Sequence, residues 1–222
     1  HNADPDAVCS AYALSVLLKE LKPDVKVEIS AAEGPSKLSK RVISRMPVEL
    51  VDSPRFDQAD ALIILDTNTL KQLGIWAKTV VELGKPTIFI DHHAPHPDTS
   101  AFASLCIADE NASSTCEVVY RLFKESGVLP SETVAIALFL GIAFDTRHFI
   151  IATSSTFSAV AELLGIGVSA EKALPLLSVP MDLSERVARV KAAHRAELKD
   201  VNGWLMGYSR VGSYQASAAR AL

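Results

Sequence analysis

Acidic and imidazole side chains follow two short apolar runs of the sequence. Asp66 and Asp91 each come directly after such a run, and His92 and His93 follow Asp91. Runs that are apolar on both faces are typical of central strands in a covered parallel sheet, and ligands bind beyond the carboxyl ends of such strands. The pattern therefore predicts carboxylates and imidazoles that face one cleft.

Three further acids fit a metal site at that cleft. Asp4 and Asp6 are two residues apart on a proline-containing turn just before a helical pattern, and Asp145 stands in a long apolar stretch, followed by Arg147 and His148. A cluster of acids cannot stay ionised in one pocket without cations that offset the repulsion. Carboxylates mixed with imidazoles suit Mn²⁺, with Co²⁺, Zn²⁺ or Mg²⁺ as alternatives. Two such ions about 3.5–4 Å apart are typical of phosphoryl hydrolysis.

Each of these residues also has a purely structural interpretation. Asp4 or Asp6 could cap the first helix, Asp66 could form a turn, and Asp145 could pair with Arg147 in the interior. A histidine pair after an aspartate is commonly part of a surface loop. These alternatives stay open for each residue alone, but the coincidence of all of them at one cleft favours a metal site.

The composition excludes several classes of protein. The 222 residues are 49% hydrophobic with a formal net charge of −4, which excludes a disordered chain and a chain-wide basic surface for nucleic acid. The longest strongly apolar run, 133–144, has 12 residues, whereas a membrane span needs about 20. Cys9, Cys106 and Cys116 are predicted to be buried, reduced thiols, and with no visible signal peptide this predicts a cytoplasmic protein.

Alternating helical and strand patterns predict the fold class and the elements that position these side chains. We expect an α/β fold, a parallel-sheet sandwich with helices on both faces, followed by the start of a second, smaller α/β domain. Helices are predicted at 7–21, 35–46, 113–126, 131–146, 154–165 and 182–200, with another beginning at 212. Strands are predicted at 25–31, 61–65, 86–90, 105–108 and 204–211.

Four motifs, in order, resemble those of the DHH phosphoesterase superfamily. That group includes RecJ-type nucleases, oligoribonucleases, cyclic dinucleotide phosphodiesterases and family II inorganic pyrophosphatases. The matching segments are Asn2-Ala-Asp-Pro-Asp-Ala7, Asp66-Thr67-Asn68, Asp91-His92-His93 and Gly141-Ile-Ala-Phe-Asp145-Thr146.

The resemblance also implies how the chain is divided into domains. The catalytic DHH domain would span 1–181, with its first strand expected before residue 1, and 182–201 would be a linker helix. Residues 202–222 resemble the start of the smaller substrate-binding domain of RecJ-like and oligoribonuclease members, here truncated.

The resemblance implies metal-ligand roles for five aspartate and histidine residues. Asp4 resembles a ligand of the first of two divalent ions. Asp6, His92 and Asp145 resemble ligands of the second ion, and Asp66 resembles the carboxylate that bridges both. Mn²⁺ is the ion that the resemblance favours.

Further roles concern the substrate and the orientation of the imidazoles. His93 resembles the residue that contacts the substrate phosphate, and Asp91 would orient an imidazole, as metal-bound histidines generally require. Asn68 would contact the substrate or the outer part of the site, and Arg147 and His148 would line the substrate cleft.

The first motif departs from the family pattern at its histidine. The family has His-x-x-x-Asp-x-Asp, so the ligand histidine would fall immediately before residue 1, and His1 is one place too late. We favour a ligand at that preceding position over His1 as a substitute.

The implied function is two-metal hydrolysis of phosphate esters in short oligonucleotides or small nucleotides, by an Mn²⁺-dependent phosphodiesterase or exonuclease. A cyclic dinucleotide or mononucleotide phosphatase of the same fold is an alternative. A nucleotide- or nucleic-acid-binding regulatory module with an incomplete site is another. The partner would be short RNA, DNA or a nucleotide, without a membrane, and a homodimer is left open.

Overall fold

The structure is a computed structural model that describes residues 2–178 and 181–220. The chain forms two compact units, His1–Ser178 and Val179–Leu222. Within the described ranges, no helix is long and apolar enough to cross a membrane.

The first unit alternates helices with the strands of a small sheet. Short 3₁₀ helices cover Phe56–Gln58, Leu70–Trp76 and Leu174–Leu177. The helices and strands, in chain order, are α1 (Pro5–Leu21), α2 (Lys37–Ile43), β1 (Leu62–Leu65), α3 (Ala77–Leu83), β2 (Thr87–Asp91), α4 (Pro97–Phe102), β3 (Leu105–Ala108), α5 (Thr115–Ser126), α6 (Glu132–Asp145), α7 (Ser154–Ile166) and α8 (Ala170–Ala173).

Strands β1, β2 and β3 form a parallel sheet in that order. Ile64 and Phe89 are paired and pack with Val80 of α3 in one apolar cluster. Their neighbours Ile63 and Ile90 belong to the larger core, which includes side chains of α1, α5 and α6. Successive side chains of a strand point to opposite faces, so these runs need cover on both sides. The predicted α/β class with helices on both faces is confirmed.

Helix α6 is central to the larger core. It is apolar on all sides, as expected of a helix surrounded by other elements, and every residue from Val134 to Ala143 except Ile136 is fully buried. The Ser131 side chain caps its start by accepting from the Val134 N–H. The helix ends at Asp145, so an acidic residue lies at the carboxyl end of this largely buried helix.

Three predictions for the first unit are wrong. Residues 25–31 form no continuous strand, because only one isolated bridge, between Ile29 and Leu50, gives them a pairing partner among the described residues. The helix predicted over 35–46 is the shorter α2. Cys106 is exposed, whereas Cys9 and Cys116 are buried, because β3 is an outer strand of the described sheet.

The second unit corrects the prediction of a helix over 182–200. Helix α9 spans Leu183–His194, and Glu197–Val201 is instead strand β4, which pairs antiparallel with β5, Trp204–Tyr208. The helix of the predicted linker over 182–201 is therefore shorter than expected, and its role as a linker stays a prediction. Asn202 and Gly203 have φ of 54° and 82°, as a two-residue hairpin turn requires, and Asn-Gly is a strong hairpin signal.

The remainder of the second unit is short. Strand β5 ends before the predicted boundary at 211, and the helix expected from 212 is α10, Gln215–Ala219. The interpretation of 202–222 as the start of a substrate-binding domain stays a prediction.

Candidate metal centre

The carboxyl ends of β1 and β2 bring two acids to the same edge of the sheet. Asp66 follows β1, Asp91 is the last residue of β2, and the Asp66 N–H donates to the Ile90 carbonyl at 3.1 Å. Asp66 has φ 54°, a left-handed conformation that costs a non-glycine residue free energy and is concentrated at functional sites. The backbone is therefore strained at Asp66, directly after the carboxyl end of β1.

Asp6 reaches the same region from the first turn of α1 and is fully buried. The main-chain N–H of Thr115 donates to its Oδ2 at 2.6 Å, and that of Cys116 donates to its Oδ1 at 3.0 Å. The first N–H groups of a helix lack partners within it, and the partial positive charge at the helix start favours an anion. The start of α5 thus holds the carboxylate, and each oxygen keeps a lone pair for a cation.

Asp4 both caps a helix and lies near the centre. Its side chain is the N-cap of α1 and accepts from the Ala7 N–H at 3.1 Å. Burial raises the pKa of Asp4, and the neighbouring charge of Asp145 raises it further. The capping interpretation therefore holds for Asp4, whose carboxylate also interacts electrostatically with Asp145 and His92.

The ring nitrogen Nε2 of His92 lies between two carboxylates and makes no hydrogen bond to either. Its Nε2 is 3.1 Å from Oδ2 of Asp145 and 3.7 Å from Oδ1 of Asp66. The shorter approach lacks hydrogen-bond geometry, and Nε2 is buried without a hydrogen-bond partner among the described residues. Leaving a buried ring nitrogen unpartnered is costly, and a cation held jointly by these side chains would remove that cost.

Two overlapping groups of four residues could each hold a metal ion. Within each group, all the ligand atoms lie within 4.8 Å of one another. Both contain Asp66 and His92, and Oδ2 of Asp91, a member of one group, is buried without a hydrogen-bond partner among the described residues. Oxygen and imidazole nitrogen donors at this separation fit a divalent transition metal ion. One group consists of Asp6, Asp66, His92 and Asp145, and the other of Asp66, Asp91, His92 and His93.

The protonation equilibria reflect how closely these charges are packed. Burial raises the pKa of Asp66 to about 7, with a further contribution from the charges of Asp4, Asp145 and Asp91. Burial likewise raises the pKa of Asp6 well above its ordinary value, and Asp66 and Asp145 raise it further.

His92 responds in the opposite sense to its burial. Burial acts to lower its pKa, but the adjacent carboxylates, first Asp145 and then Asp6 and Asp66, raise that pKa to about 9. The acids bind protons more tightly than usual, which is what a cation-binding pocket does when only protons are present.

Asp91 orients His93 and the backbone around it. Oδ1 of Asp91 accepts from the N–H groups of His92, at 2.7 Å, and of His93, at 3.1 Å, and lies 2.8 Å from Nδ1 of His93. A carboxylate can only accept, so Nδ1 carries the proton. The His93 side chain is 52% exposed, with Nδ1 directed at Asp91.

Other predicted site residues lie around the cluster without contacting it. The Asn68 amide donates to the Ala94 carbonyl at 3.4 Å, which holds the loop after the histidine pair. Arg147 and His148 are exposed on a left-handed turn after α6. Their side chains make no hydrogen bond or ion pair within the described part of the chain, so the alternative of an interior pair between Asp145 and Arg147 is wrong. His1 lies outside the described residues.

Two residues of the site were not predicted as part of it. Thr115 donates from its backbone to Asp6 and from its Oγ1 to Oδ1 of Asp66 at 3.1 Å. Gly141 lets α6 approach Asp6 and Cys116 closely. The run of hydroxyl residues at 113–115 indicates a helix start that could hold an anion, but nothing local identifies Asp6, 109 residues away, as that anion.

Comparison with known proteins finds relatives over most of the chain. The N-terminal domain of the DHH family matches residues 1–142. An uncharacterized protein of Methanocaldococcus jannaschii is 36% identical over 223 residues, covering 100% of this chain and 66% of that protein. A probable manganese-dependent inorganic pyrophosphatase of Streptococcus agalactiae is 26% identical over 222 residues, covering 96% of this chain and 68% of that protein.

A solved structure shows the same fold. The crystal structure of an exopolyphosphatase-related protein from Bacteroides fragilis matches with a TM-score of 0.72 and 22% sequence identity, covering 89% of this chain and 60% of that chain. A second uncharacterized Methanocaldococcus jannaschii protein is 32% identical, covering 73% of this chain and 32% of that protein. The chain thus spans 66% and 32% of the lengths of these two archaeal relatives.

Proposed function

This chain belongs to the DHH family of phosphoesterases, and we propose that it is a divalent-metal-dependent phosphodiesterase of short oligonucleotides or small nucleotides. The observation that carries the proposal is the group of Asp6, which is buried, with the half-buried Asp66, His92 and Asp145, whose ligand atoms all lie within 4.8 Å of one another. Three carboxylates and an imidazole at this density need a cation to balance them.

We assign the ligands of two ions, with Mn²⁺ as the preferred metal. Asp6, His92 and Asp145 would hold one ion, Asp4 would help to hold the other, and Asp66 would serve both. The ions, when bound, supply a Lewis acid for the phosphate and a hydroxide nucleophile near neutral pH. The relationship to proteins named manganese-dependent pyrophosphatases supports manganese as the metal.

His93 is assigned to the substrate phosphate. Its Nδ1–H is committed to Asp91, which fixes the ring and leaves Nε2 on the exposed side. In its protonated form the imidazole donates from Nε2 to a phosphate oxygen, and the Asp91 carboxylate stabilises the positive ring. Donors aimed at developing negative charge are the main source of stabilisation in phosphoryl transfer.

A phosphodiester is the first candidate substrate, because residues 202–222 resemble the start of the substrate-binding domain of oligoribonuclease members. Pyrophosphate or polyphosphate is the second candidate substrate, and the similarity to a probable manganese-dependent inorganic pyrophosphatase favours it.

A substrate panel tests both candidates. The purified protein would be incubated with Mn²⁺ and a linear dinucleotide, a cyclic dinucleotide, a five-nucleotide RNA or inorganic pyrophosphate, and products would be separated by ion-exchange chromatography. Faster turnover of the linear dinucleotide or RNA supports the proposal. Turnover of pyrophosphate alone would favour the second candidate substrate. Tight nucleotide binding without any turnover would favour a regulatory module.

A further inference from the structure

Thr115 connects two carboxylates that come from distant parts of the chain. It is fully buried as the first residue of α5. Its N–H donates to Oδ2 of Asp6 on α1, and its Oγ1 donates to Oδ1 of Asp66 after β1. A single residue thus contacts one acid assigned to a single ion and the acid assigned to both.

We propose that Thr115 is a positioning residue of the metal centre, whose hydroxyl sets the orientation of the Asp66 carboxylate. The inference rests on the proposed function, because it assumes that Asp66 is a metal ligand. It adds a role for a residue that contacts neither the substrate nor, by assignment, the ions.

The need for such a residue follows from the bridging role. A carboxylate that serves two ions would need a fixed orientation, so rotation of its plane would weaken its hold on both. The Thr115 hydroxyl makes the one side-chain hydrogen bond to the Asp66 carboxylate in the described part of the chain. The Asp66 backbone is itself in a left-handed conformation. This hydrogen bond therefore fixes the side chain of a residue whose backbone conformation is strained.

The two hydrogen bonds of Thr115 can be separated by mutation. The bond to Asp6 comes from the main chain and survives any side-chain substitution that preserves the helix start. Thr115→Val is nearly isosteric and removes only the hydroxyl bond to Asp66, whereas Thr115→Ser retains it. Loss of an outer partner of a metal ligand typically weakens metal affinity roughly 10- to 100-fold.

Thr87 provides a matched control. It is also fully buried, and in the described part of the chain its hydroxyl makes one hydrogen bond, to the Lys85 carbonyl at 2.9 Å. It begins β2, at the opposite end of the strand from Asp91. Thr87→Val therefore removes a buried hydroxyl of the same kind away from the metal centre.

Mn²⁺ binding to the full chain is the measurement, by titration calorimetry and by the electron paramagnetic resonance signal of free and bound ion. We expect Thr115→Val to bind Mn²⁺ roughly 10- to 100-fold more weakly, while Thr115→Ser and Thr87→Val stay within a few-fold of the parent. The metal-free melting temperature reports the purely structural cost of losing each hydroxyl.

The outcomes separate failure of this inference from failure of the proposed function. If Thr115→Val binds Mn²⁺ like the parent while Asp66→Asn does not bind it, the positioning role is wrong and the metal centre stands. Equal weakening by Thr115→Val and Thr115→Ser would also contradict the role of the hydroxyl. If Asp66→Asn itself binds Mn²⁺ like the parent, the metal-centre assignment fails instead.

Discussion

Gly141 on α6 lies so close to Asp6 on α1 that a Cβ at position 141 would stand 2.7 Å from Oδ1 of Asp6 and 3.0 Å from Cβ of Cys116. No real side chain tolerates such separations without movement of its neighbours. The glycine is therefore what lets three helices meet at the proposed metal centre, and it couples core packing to the position of a proposed ligand.

Gly141→Ala should destabilise the protein and displace Asp6. Overpacking of this kind costs about 1–3 kcal/mol, and the groups in the way are a backbone-anchored carboxylate and a fully buried thiol. Urea unfolding and Mn²⁺ titration would measure the two effects. Gly165→Ala on α7 is the control, since a Cβ there meets nothing within 4 Å and should leave stability equal or raise it by up to about 1 kcal/mol.

Asp66→Asn should abolish tight Mn²⁺ binding and reduce hydrolysis by at least about 100-fold. The neutral amide lacks the negative charge with which the carboxylate would balance the cations. The comparison is Asp60→Asn, an exposed acid at the other end of β1, which should retain both properties. Calorimetry and dinucleotide turnover report them separately. Unchanged turnover in Asp66→Asn would contradict the two-metal assignment.

Asp91→Asn should lower turnover roughly 10- to 100-fold, with a smaller effect on metal affinity. The amide oxygen still accepts from the two backbone N–H groups, but the carboxylate that holds the His93 ring through Nδ1 is lost. Dinucleotide turnover and Mn²⁺ calorimetry measure the two effects. Asp98→Asn changes an acid beside His96 that is 73% exposed, and a similar loss there would show that the effect is not specific to the site.

The metal-free protein should lose stability as pH rises from about 4 to about 9. The pKa of Asp66 is raised from 3.8 to about 7, so its protonated form favours folding, and that contribution is lost as pH rises through 7. The pKa of His92 is raised from 6.5 to about 9, so its contribution is complete below 6.5 and lost by 9.

Added divalent cation should reverse this trend, because it replaces the protons. At a free Mn²⁺ concentration 100-fold above its dissociation constant, the stabilisation is about 2.7 kcal/mol. Thermal unfolding with EDTA or Mn²⁺ at pH 5 and pH 8 is the measurement. A Mn²⁺-induced rise in melting temperature that is greater at pH 5 than at pH 8 would contradict the linkage.

Much of the fold could be read from periodicity. The apolar runs before Asp66 and Asp91 became β1 and β2, and the long helical patterns became α5, α6 and α7, because burial on both faces or all round leaves a local signature. The segment at 25–31 has the alternation of a strand but too few partners to become one. The region after His194 was predicted to be helical but forms a hairpin. Its Asn-Gly pair indicates that hairpin, but the helical pattern of the preceding residues extends into the first strand and obscures it.

The sequence by itself determined which side chains could bind a metal, since residue type and strand-end position are local properties. Only the tertiary structure decided how those acids are held. Asp6 is fixed by the start of a helix more than 100 residues away, Thr115 reaches Asp66, and Gly141 admits the close approach of α6. These relationships depend on distances between elements that are remote in the chain, and such distances arise only when the core packs.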